Sequence, residues 1–535
     1  MPRSTTALGE LREGFDVIAR LVGLTLGPSQ GVVLNDVGGG SAESLVDSAT
    51  IARRVTSLPG RRHTAGAELA RALVRRVGDG AGDGGATAAV IARAVLCHAV
   101  RVVAAGANPV LVRAGIQRGV AIACDVLKSH ATPVDAAAST ATGSSLTGLA
   151  LAATSDTELA TVLGEMVDVL GVEGAISVEE HEAMNLVHHY VEGARWRGRP
   201  AESDLLPGAS TELTLIDPVV AVVDEEVERV EQVAPILEAA LAQPGRPPLL
   251  FVARELSGTA LSMLSFNHRR GTLISAPTVI TTSRTRVSDD LDDLALLTGA
   301  VVICTEHGRK PGAFQPSWFG RARRAVVQPG YLTVSGGRGD ASAIAERAAR
   351  LRTRAWELDQ SPQREDRRTR DRLWLRQARL CGRVGVVRVG AATTQQVEVR
   401  VAQARKAIRL LHIAAREGIV PGGGVAYLDC VRFVRAARED CTDSDVAAGL
   451  DAVCSGLEAP FLQIVRNAGE TEPRVALAKV RELGRGHGID VRRHAYVDMR
   501  SAGIWDAAGV AATALEAAGE TAGLLVSAEV VTGRA

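Results

Sequence analysis

The sequence predicts a protein of several domains, helical towards both ends of the chain and α/β in the middle. The 535 residues are too many for one hydrophobic core, and about three or four domains are expected at this length. Apolar residues recur at helical spacing near both ends. Between residues 213 and 334, β-branched runs alternate with helical stretches, which is typical of a sheet flanked by helices.

In the first part of the chain, apolar residues recur every three or four positions over 65–77 and 87–105, and this spacing predicts two helices. The glycine-rich segment GDGAGDGGAT, residues 78–87, is predicted to form the turn between them. A further helix is predicted over 109–130, ending near Pro133.

The middle of the chain contains six apolar runs that predict strands, at 213–216, 219–223, 248–252, 272–275, 300–304 and 325–327. An Arg-rich helical segment is predicted over 340–380, with a break near Asp359–Glu365, and helices return after Val397. This order allows either three consecutive domains or one helical domain interrupted by an inserted module. Periodicity alone does not choose between these two arrangements.

Composition excludes several classes of function. Lys and Arg together number 61, as do Asp and Glu, so the charge balance predicts neither a nucleic-acid partner nor an anionic membrane partner. The seven cysteines form no CxxC pair, which argues against a zinc site or a disulfide framework. The N-terminal residues have no apolar core like that of a signal peptide, and a cytoplasmic protein is expected.

Three glycine-bearing segments are candidates for holding phosphate: Thr25–Pro28, Ala81–Thr87 and Pro421–Val425. Glycine allows close approach of a ligand to the backbone, and the free N–H groups at the start of a helix attract anions. Asp83 is placed to bind Mg²⁺ or to orient a water molecule. Each segment alone is also explained as an ordinary glycine turn between two helices. Neither of the two common nucleotide-binding glycine motifs is present.

In combination and in this order, the segments resemble the bacterial 60 kDa (type I) chaperonins over nearly the whole chain. The matching stretches include LTLGPSQGVVL (24–34), AGDGGATAAVIARA (81–94), VAAGANPVLVRAGI (103–116), GVEGAISVEE (171–180), VGVVRVGAATT (384–394), AAREGIVPGGGVAYL (414–428) and GIWDAAGV (503–510). A collinear set of this kind is far more specific than any single motif.

The resemblance implies a chaperonin fold with a discontinuous all-α equatorial domain, a small α+β intermediate domain and an inserted α/β apical domain. On this sequence the implied equatorial domain is 1–132 with 418–535, the intermediate domain is 133–192 with 384–417, and the apical domain is 193–383. It also implies ATP and Mg²⁺ as cofactors, with Asp83 as a catalytic residue and the Mg²⁺ ligand. The positions implied to contact nucleotide are Thr25, Leu26, Gly27, Pro28, Asp47, Asp83, Gly84, Gly85, Ala86, Thr87, Gly423, Asp490 and Asp506.

Several of these positions depart from the family pattern. Ser29 and Val46 stand where the family has lysines, and Gly85 and Ala86 replace two threonines. The largest departure is Lys406, which in a gapless alignment back from Gly418 occupies the place of a second catalytic aspartate. A protonated lysine neither accepts a proton from water nor orients it, so ATP hydrolysis is expected to be at least about 100-fold slower than in an ordinary member. A slip of up to one turn would instead put Gln403 or Arg405 there, and neither restores a carboxylate.

In the family, an apolar groove of the apical domain binds non-native polypeptides and a co-chaperonin lid. The corresponding positions are Leu237, Leu261, Leu264 and Phe266. The alternative is that these residues only pack two helices together. The segments 194–206 and 277–283 lack the family's usual residues, which weakens the implication of a lid.

Three functions remain open at this stage. The first is an ATP-driven ring chaperone that refolds polypeptides. The second is a polypeptide-binding or structural assembly that forms homo-oligomeric rings or partial rings but does not cycle. The third is a regulatory subunit that co-assembles with an intact chaperonin.

Overall fold

The structure is a computed structural model that describes residues 4–29, 31–38, 41–45, 47–54, 61–134, 144–171, 174–191, 193–202, 212–283, 286–359 and 364–528. Val46 and residue 192, at a predicted domain boundary, lie outside this part of the chain. The helices are α1 (Ser4–Gly23), α2 (Ser48–Arg54), α3 (Arg61–Ala81), α4 (Gly85–Ala104), α5 (Pro109–Ser129), α6 (Ser145–Thr154), α7 (Thr157–Leu170), α8 (Val230–Leu241), α9 (Gly258–Arg270), α10 (Val287–Thr298), α11 (Ala341–Asp359), α12 (Arg364–Leu380), α13 (Thr394–Glu417), α14 (Val425–Glu439), α15 (Ser444–Asn467), α16 (Pro473–Leu483) and α17 (Ala508–Val526). The strands are β1 (Val33–Gly38), β2 (Ser41–Leu45), β3 (Ala175–Glu180), β4 (Leu186–Val191), β5 (Ala194–Pro200), β6 (Leu213–Ile216), β7 (Val219–Val227), β8 (Leu249–Leu256), β9 (Ser275–Ile280), β10 (Val302–Ile303), β11 (Gly320–Gln328), β12 (Tyr331–Gly337), β13 (Val384–Val389), β14 (Ile419–Pro421), β15 (His487–Asp490), β16 (Ala495–Asp498) and β17 (Trp505–Ala507).

The chain divides into two compact units. The first comprises Met1–Val172, Glu180–Leu186 and Val389–Ala535, and the second comprises Glu173–Glu179 and Val187–Arg388. Because the first unit contains both ends of the chain, the second is an insertion, which resolves the alternative that periodicity left open. The finer division into three domains stays a prediction.

The first unit is built around α4, α5, α15 and α17, which share one hydrophobic core. Helix α4 is apolar and long enough to cross a membrane by length and composition, but half of it is buried inside the fold, against α1, α15 and α17. A helix that is apolar on several sides belongs in the centre of a large core. Where α5 crosses α15, a Cβ atom at Gly115 would lie 2.1 Å from the Val446 carbonyl oxygen, so only glycine allows this close approach.

The second unit contains an eight-stranded sheet in the order β10-β7-β8-β9-β5-β12-β11-β6. Strands β10, β7, β8 and β9 run parallel, and the others pair antiparallel. Alternate residues of β7 and β8 face opposite sides: Val220 and Leu250 pack with α10, whereas Val219 and Phe251 pack with α8 and α9. Burial on both faces explains why these strands appear in the sequence as continuous apolar runs.

Two predictions of local structure need correction. The strand predicted over 272–275 begins only at Ser275 and continues to Ile280, because the preceding residues form the loop after the C-terminal end of α9. The turn predicted over 78–87 is much shorter, since α3 extends to Ala81 and α4 starts at Gly85. Only residues 82–84 lie outside these helices, because Gly82 and Gly84 adopt the left-handed backbone conformation that permits a sharp reversal.

A buried group of charges joins α10 to α12 in the second unit. Asp293 is fully buried, and its two carboxylate oxygens accept hydrogen bonds from Arg376 Nε at 2.6 Å and Arg376 Nη2 at 2.9 Å. Arg376 also pairs with Asp289 at 2.9 Å, and Arg379 pairs with Asp290 at 2.6 Å. These contacts hold the Arg-rich helix, which sequence alone describes only as charged, against the sheet domain.

Candidate functional site

The first glycine turn follows α1 and is held from the side by α15. The side-chain amide of Asn467 donates hydrogen bonds to the carbonyl oxygens of Gly23 at 2.9 Å and Leu26 at 2.8 Å. Gly27 has a φ of +89°, and a Cβ atom there would lie 3.1 Å from the Ile464 side chain. The buried Thr25 hydroxyl donates a hydrogen bond to the Val22 carbonyl oxygen at 2.8 Å, which satisfies a carbonyl at the C-terminal end of α1. Leu26 and Pro28 complete this turn, Leu26 partly buried and Pro28 exposed.

The second glycine turn presents the open N-terminus of α4. Gly84 is the N-cap residue with a φ of +88°, and no side chain caps the backbone N–H groups of the first helical turn. These N–H groups belong to Gly85, Ala86 and Thr87, of which Thr87 is partly exposed. Uncapped N–H groups at the start of a 20-residue helix attract a negatively charged ligand.

The third glycine turn leads from β14 into α14. Gly423 and Gly424 both have left-handed backbone angles, and a Cβ atom at Gly424 would lie 2.7 Å from the Phe461 backbone nitrogen. Strand β17 pairs with β14, and this pairing places Asp506 opposite Val420, directly beside the turn. Burial, and then the charge of Asp83, raise the pKa of Asp506 to about 7.

Asp47 and Asp490 are both engaged by their own local structure. Asp47 precedes α2, and its Oδ2 accepts hydrogen bonds from the Thr50 backbone nitrogen at 2.9 Å and the Thr50 hydroxyl at 3.0 Å. This is the ordinary role of an aspartate at a helix start. Asp490 ends β15, and its Oδ1 accepts from the backbone nitrogens of Arg492 and Arg493 in the following turn.

Lys406 reaches the second glycine turn from α13. Its Nζ lies 3.1 Å from Asp83 Oδ1, with both side chains partly exposed. The negative charge of Asp83 raises the pKa of Lys406, burial opposes this rise, and Asp47 adds to it. Lys406 is therefore protonated at neutral pH and sits among carboxylates. The gapless alignment from sequence also places Lys406 beside this turn, and its role there stays a prediction.

Comparison with known proteins identifies the family. A model of the TCP-1/cpn60 chaperonin family matches residues 248–532, which is more than half of the chain. The chain belongs to this chaperonin family.

Solved structures show the same fold. A group III chaperonin in the open state has 19% sequence identity and a TM-score of 0.70, with 99% of each chain covered. The chaperonin gp146 of the bacteriophage EL of Pseudomonas aeruginosa, crystallised in presence of ATP-BeFx, has 18% identity and a TM-score of 0.67, covering 99% of this chain and 98% of its own. A second crystal form of gp146 has 17% identity and a TM-score of 0.60, with 98% and 97% covered. The predicted chaperonin fold is confirmed, and the chaperonin-like function follows from the family.

The glycine turns of this chaperonin fit a phosphate-bearing ligand better than they fit a metal ion. The α4 N-terminus and the left-handed glycines leave backbone N–H groups open to an anion. The carboxylate expected to bind Mg²⁺, that of Asp83, is instead paired with the Lys406 ammonium. Within the described part of the chain, no group of three or more His, Cys, Asp or Glu side chains is arranged to hold a metal. As it stands, this arrangement does not fit Mg²⁺.

Two residues of the site were missed by sequence reasoning. Asn467 holds the first turn from a distant helix, and no local pattern marks it. Arg409 lies against the second turn, since a Cβ atom at Gly82 would be 3.1 Å from Arg409 Nε. Its spacing of three residues from Lys406, which puts both on one face of α13, is the signal that would have found it.

The four residues predicted to bind polypeptide lie at different depths in the second unit. Leu237 of α8 and Leu264 of α9 are buried in the core between these helices and the sheet. This agrees with the alternative that these residues only pack the two helices together. Leu261 is partly buried against the same core. Phe266 is 60% exposed, with the guanidinium of Arg270 5.8 Å from its ring. In this conformation Phe266 is the member of the four that presents a large apolar surface.

The raised pKa of Asp506 gives a pH-dependent prediction. Because its folded pKa of about 7 exceeds the ordinary value of 3.8, ionisation of Asp506 destabilises the folded state progressively as pH rises from about 4 to 7. At about 1.4 kcal/mol per pKa unit, ionisation of Asp506 lowers the free energy of unfolding at pH 8 by at most about 4 kcal/mol. Asp506→Asn is expected to raise the melting temperature at pH 8 and to raise it much less at pH 5, measured by calorimetry.

Asp498→Asn is the matched control for this prediction. Hydrogen bonds led by that from the Ser501 backbone lower the pKa of Asp498, so it is ionised at both pH values in the folded and unfolded chain. Its substitution is expected to have the same effect at pH 5 and pH 8. A pH-independent difference for Asp506→Asn would contradict the raised pKa.

Proposed function

We propose that this chaperonin captures non-native polypeptides and holds adenine nucleotide in its first unit, with hydrolysis strongly slowed. The observation that supports the slow hydrolysis best is the Lys406 ammonium, 3.1 Å from Asp83. The resemblance to bacterial type I chaperonins implies a second carboxylate at this place. The proposed protein therefore binds ATP as a stable ligand and does not use it to drive rapid cycles.

The chemistry of the site supports this proposal. Hydrolysis of ATP needs a group that orients the attacking water or accepts its proton. Lys406 is protonated, because Asp83 raises its pKa, and an ammonium has no lone pair to accept a proton. The same ammonium favours phosphate oxygens. Lys406 thus opposes hydrolysis while it favours retention of the nucleotide.

A ring homo-oligomer in the cytoplasm, of the bacterial type, is part of the proposal. Strands β1 and β2 form an isolated two-stranded sheet, and no third strand joins it among the described residues. The side chain of Leu34 on β1 is 72% exposed, and Val32 just before it is 55% exposed. An open sheet edge with exposed apolar residues favours pairing with another copy of the chain. Light scattering of the purified protein measures the mass of the oligomer. The same measurement on a mixture with a second chaperonin distinguishes a homo-oligomer from a co-assembly of the two proteins.

Polypeptide capture is proposed to use the exposed face of α9. Phe266 offers apolar surface there, and Leu261 is partly exposed elsewhere on the same helix. Burial of apolar area at about 25 cal/mol per Å² favours binding of a chain that exposes its own apolar residues. Because Leu237 and Leu264 are buried, this surface is smaller than the predicted groove. Its reduced extent also argues against a co-chaperonin lid.

Suppression of aggregation tests the proposed capture. The wild-type protein is expected to prevent aggregation of a chemically denatured client enzyme to the same extent with and without MgATP, because slow hydrolysis leaves client release uncoupled from ATP. Phe266→Ser is expected to weaken client binding by about tenfold, the value of a buried aromatic side chain. Ile216→Ser, at a comparably exposed position on β6 of the same unit, is the control and is expected to leave binding unchanged.

Two results would count against the proposal. Failure of the wild-type protein to reduce aggregation, in an assembly that remains folded, would exclude polypeptide capture. Rapid ATP-dependent release of refolded client would restore the first hypothesis, an ATP-driven ring chaperone.

A further inference from the structure

We infer that this site binds nucleotide without a divalent cation, and that Lys406 and Arg409 of α13 supply the positive charge that a metal ion would otherwise supply. The inference rests on the proposed function, because it concerns the form in which the proposed nucleotide is bound. It assigns a role to Arg409, which neither the sequence motifs nor the family resemblance singled out.

Asp83 is the carboxylate of the second glycine turn. Mg²⁺ in a nucleotide site is held by protein carboxylates together with phosphate oxygens, in near-octahedral geometry. Here Asp83 Oδ1 is in contact with an ammonium at 3.1 Å. A second cation placed on the same carboxylate would be repelled by that ammonium at close range. Lys406 therefore competes with a metal ion for Asp83.

Asp47 is a second carboxylate near Lys406. Asp47 lies close enough to raise the pKa of Lys406, but its Oδ2 is already occupied by the two hydrogen bonds from Thr50 at the start of α2. Asp83 is thus paired with an ammonium, and Asp47 has one of its two carboxylate oxygens engaged, so this pair of acids holds a divalent cation less well than two free carboxylates would.

Two side chains of α13 supply the positive charge in place of the metal. Lys406 and Arg409 are three residues apart on one helix, so both project towards the second glycine turn. The guanidinium group of Arg409 lies beside Gly82, where glycine leaves room for it. Guanidinium and ammonium groups are the side chains that bind phosphate oxygens most strongly. Together with the uncapped N–H groups of α4, they provide a positively charged surface on two sides of the turn.

Mg²⁺ is then expected to have no favourable effect on binding. A metal ion bound to the phosphates masks the charge that Lys406 and Arg409 would contact, and it also needs the Asp83 oxygen that Lys406 occupies. Replacement of Lys406 by aspartate reverses the preference against Mg²⁺, because Asp83 loses its ammonium partner and gains a second carboxylate beside it. The Lys406→Asp variant is therefore expected to depend on Mg²⁺.

Isothermal titration calorimetry of the full-length protein with the sodium salt of ATP tests the inference, once in EDTA and once in MgCl₂. The wild-type dissociation constant in EDTA is expected to equal that in MgCl₂ within about threefold, or to be lower. For Lys406→Asp, affinity in EDTA is expected to fall by about tenfold or more and to recover with MgCl₂. Arg409→Ala is expected to lower the affinity in EDTA by about tenfold.

Arg405→Asp is the matched control, since it makes the same charge change one residue away on an exposed position of α13. It is expected to bind ATP as the wild type does. Wild-type binding that requires MgCl₂ would overturn the inference but leave the proposed nucleotide site standing. Absence of binding in both buffers, with a folded protein by circular dichroism, would overturn the proposed nucleotide site itself.

Discussion

Replacement of Lys406 by aspartate is expected to raise the rate of phosphate release from MgATP by about 100-fold, the usual contribution of a positioned general base. The new carboxylate would lie beside Asp83, where the ammonium now lies at 3.1 Å. It could orient the attacking water and accept its proton, and it would free Asp83 to bind Mg²⁺. The wild-type rate is expected to be at least about 100-fold below that of a bacterial chaperonin that has the aspartate.

The measurement is phosphate release at saturating MgATP, with nucleotide binding determined for each variant. Arg405→Asp makes the same change of charge at an exposed position of α13 and is expected to leave the rate of phosphate release unchanged. The double variant Lys406→Asp with Asp83→Ala is expected to remain inactive. This result would show that the faster phosphate release of Lys406→Asp arises at this site. A wild-type rate equal to that of an ordinary chaperonin would mean that Lys406 does not block hydrolysis.

Loss of Asp293 is expected to destabilise the second unit by about 3–5 kcal/mol, the range measured when one partner of a buried ion pair is removed. Asp293 is fully buried and Arg376 is only 4% exposed. Asp293→Ala would leave the guanidinium of Arg376 without its two hydrogen bonds of 2.6 Å and 2.9 Å in a place that water does not reach. Asp289 remains as a partner of Arg376, but it is itself partly exposed.

Urea unfolding followed by tryptophan fluorescence measures this loss, because Trp196, Trp318, Trp356 and Trp374 belong to the second unit and only Trp505 to the first. Glu357→Ala is the control, since it breaks the exposed pair with Arg354 on α11 and is expected to cost less than about 1 kcal/mol. Replacement of both buried partners, as Asp293→Leu with Arg376→Met, is expected to recover much of the stability. A loss below about 1 kcal/mol for Asp293→Ala would mean that the buried pair does not hold α12 in place.

These expectations describe a chaperonin in which nucleotide acts as a bound ligand. The resemblance to bacterial type I chaperonins implies an ATP-driven cycle, with a catalytic carboxylate on α13 at the second glycine turn. In this chain the group is a cation that pairs with Asp83. We expect client binding to depend on the exposed surface of α9 and to be largely independent of ATP.

Much of the candidate site could be predicted from sequence. The three glycine turns are visible because glycine is needed wherever the backbone takes a left-handed angle, as at Gly27, Gly84 and Gly423. Lys406 could be assigned because no gap separates it from Gly418. Arg409 and Asn467 could not be predicted from sequence, since their roles depend on contacts with turns that are distant in the chain. The predicted strand at 272–275 was placed too early because an apolar run does not mark where a loop ends.

The sequence by itself determined the fold class, the family resemblance and the location of the three glycine turns, because periodicity and backbone freedom are local properties of the chain. Tertiary structure decided which charges meet and which apolar residues reach the surface. Leu264 and Phe266 lie two residues apart on α9, yet the first is fully buried and the second is 60% exposed. The helix puts them on opposite faces, and the packing of α9 on the sheet decides which face is covered. Likewise, only the approach of α13 to the start of α4 turns a lysine and an aspartate into an ion pair, and the proposed loss of hydrolysis depends on that contact.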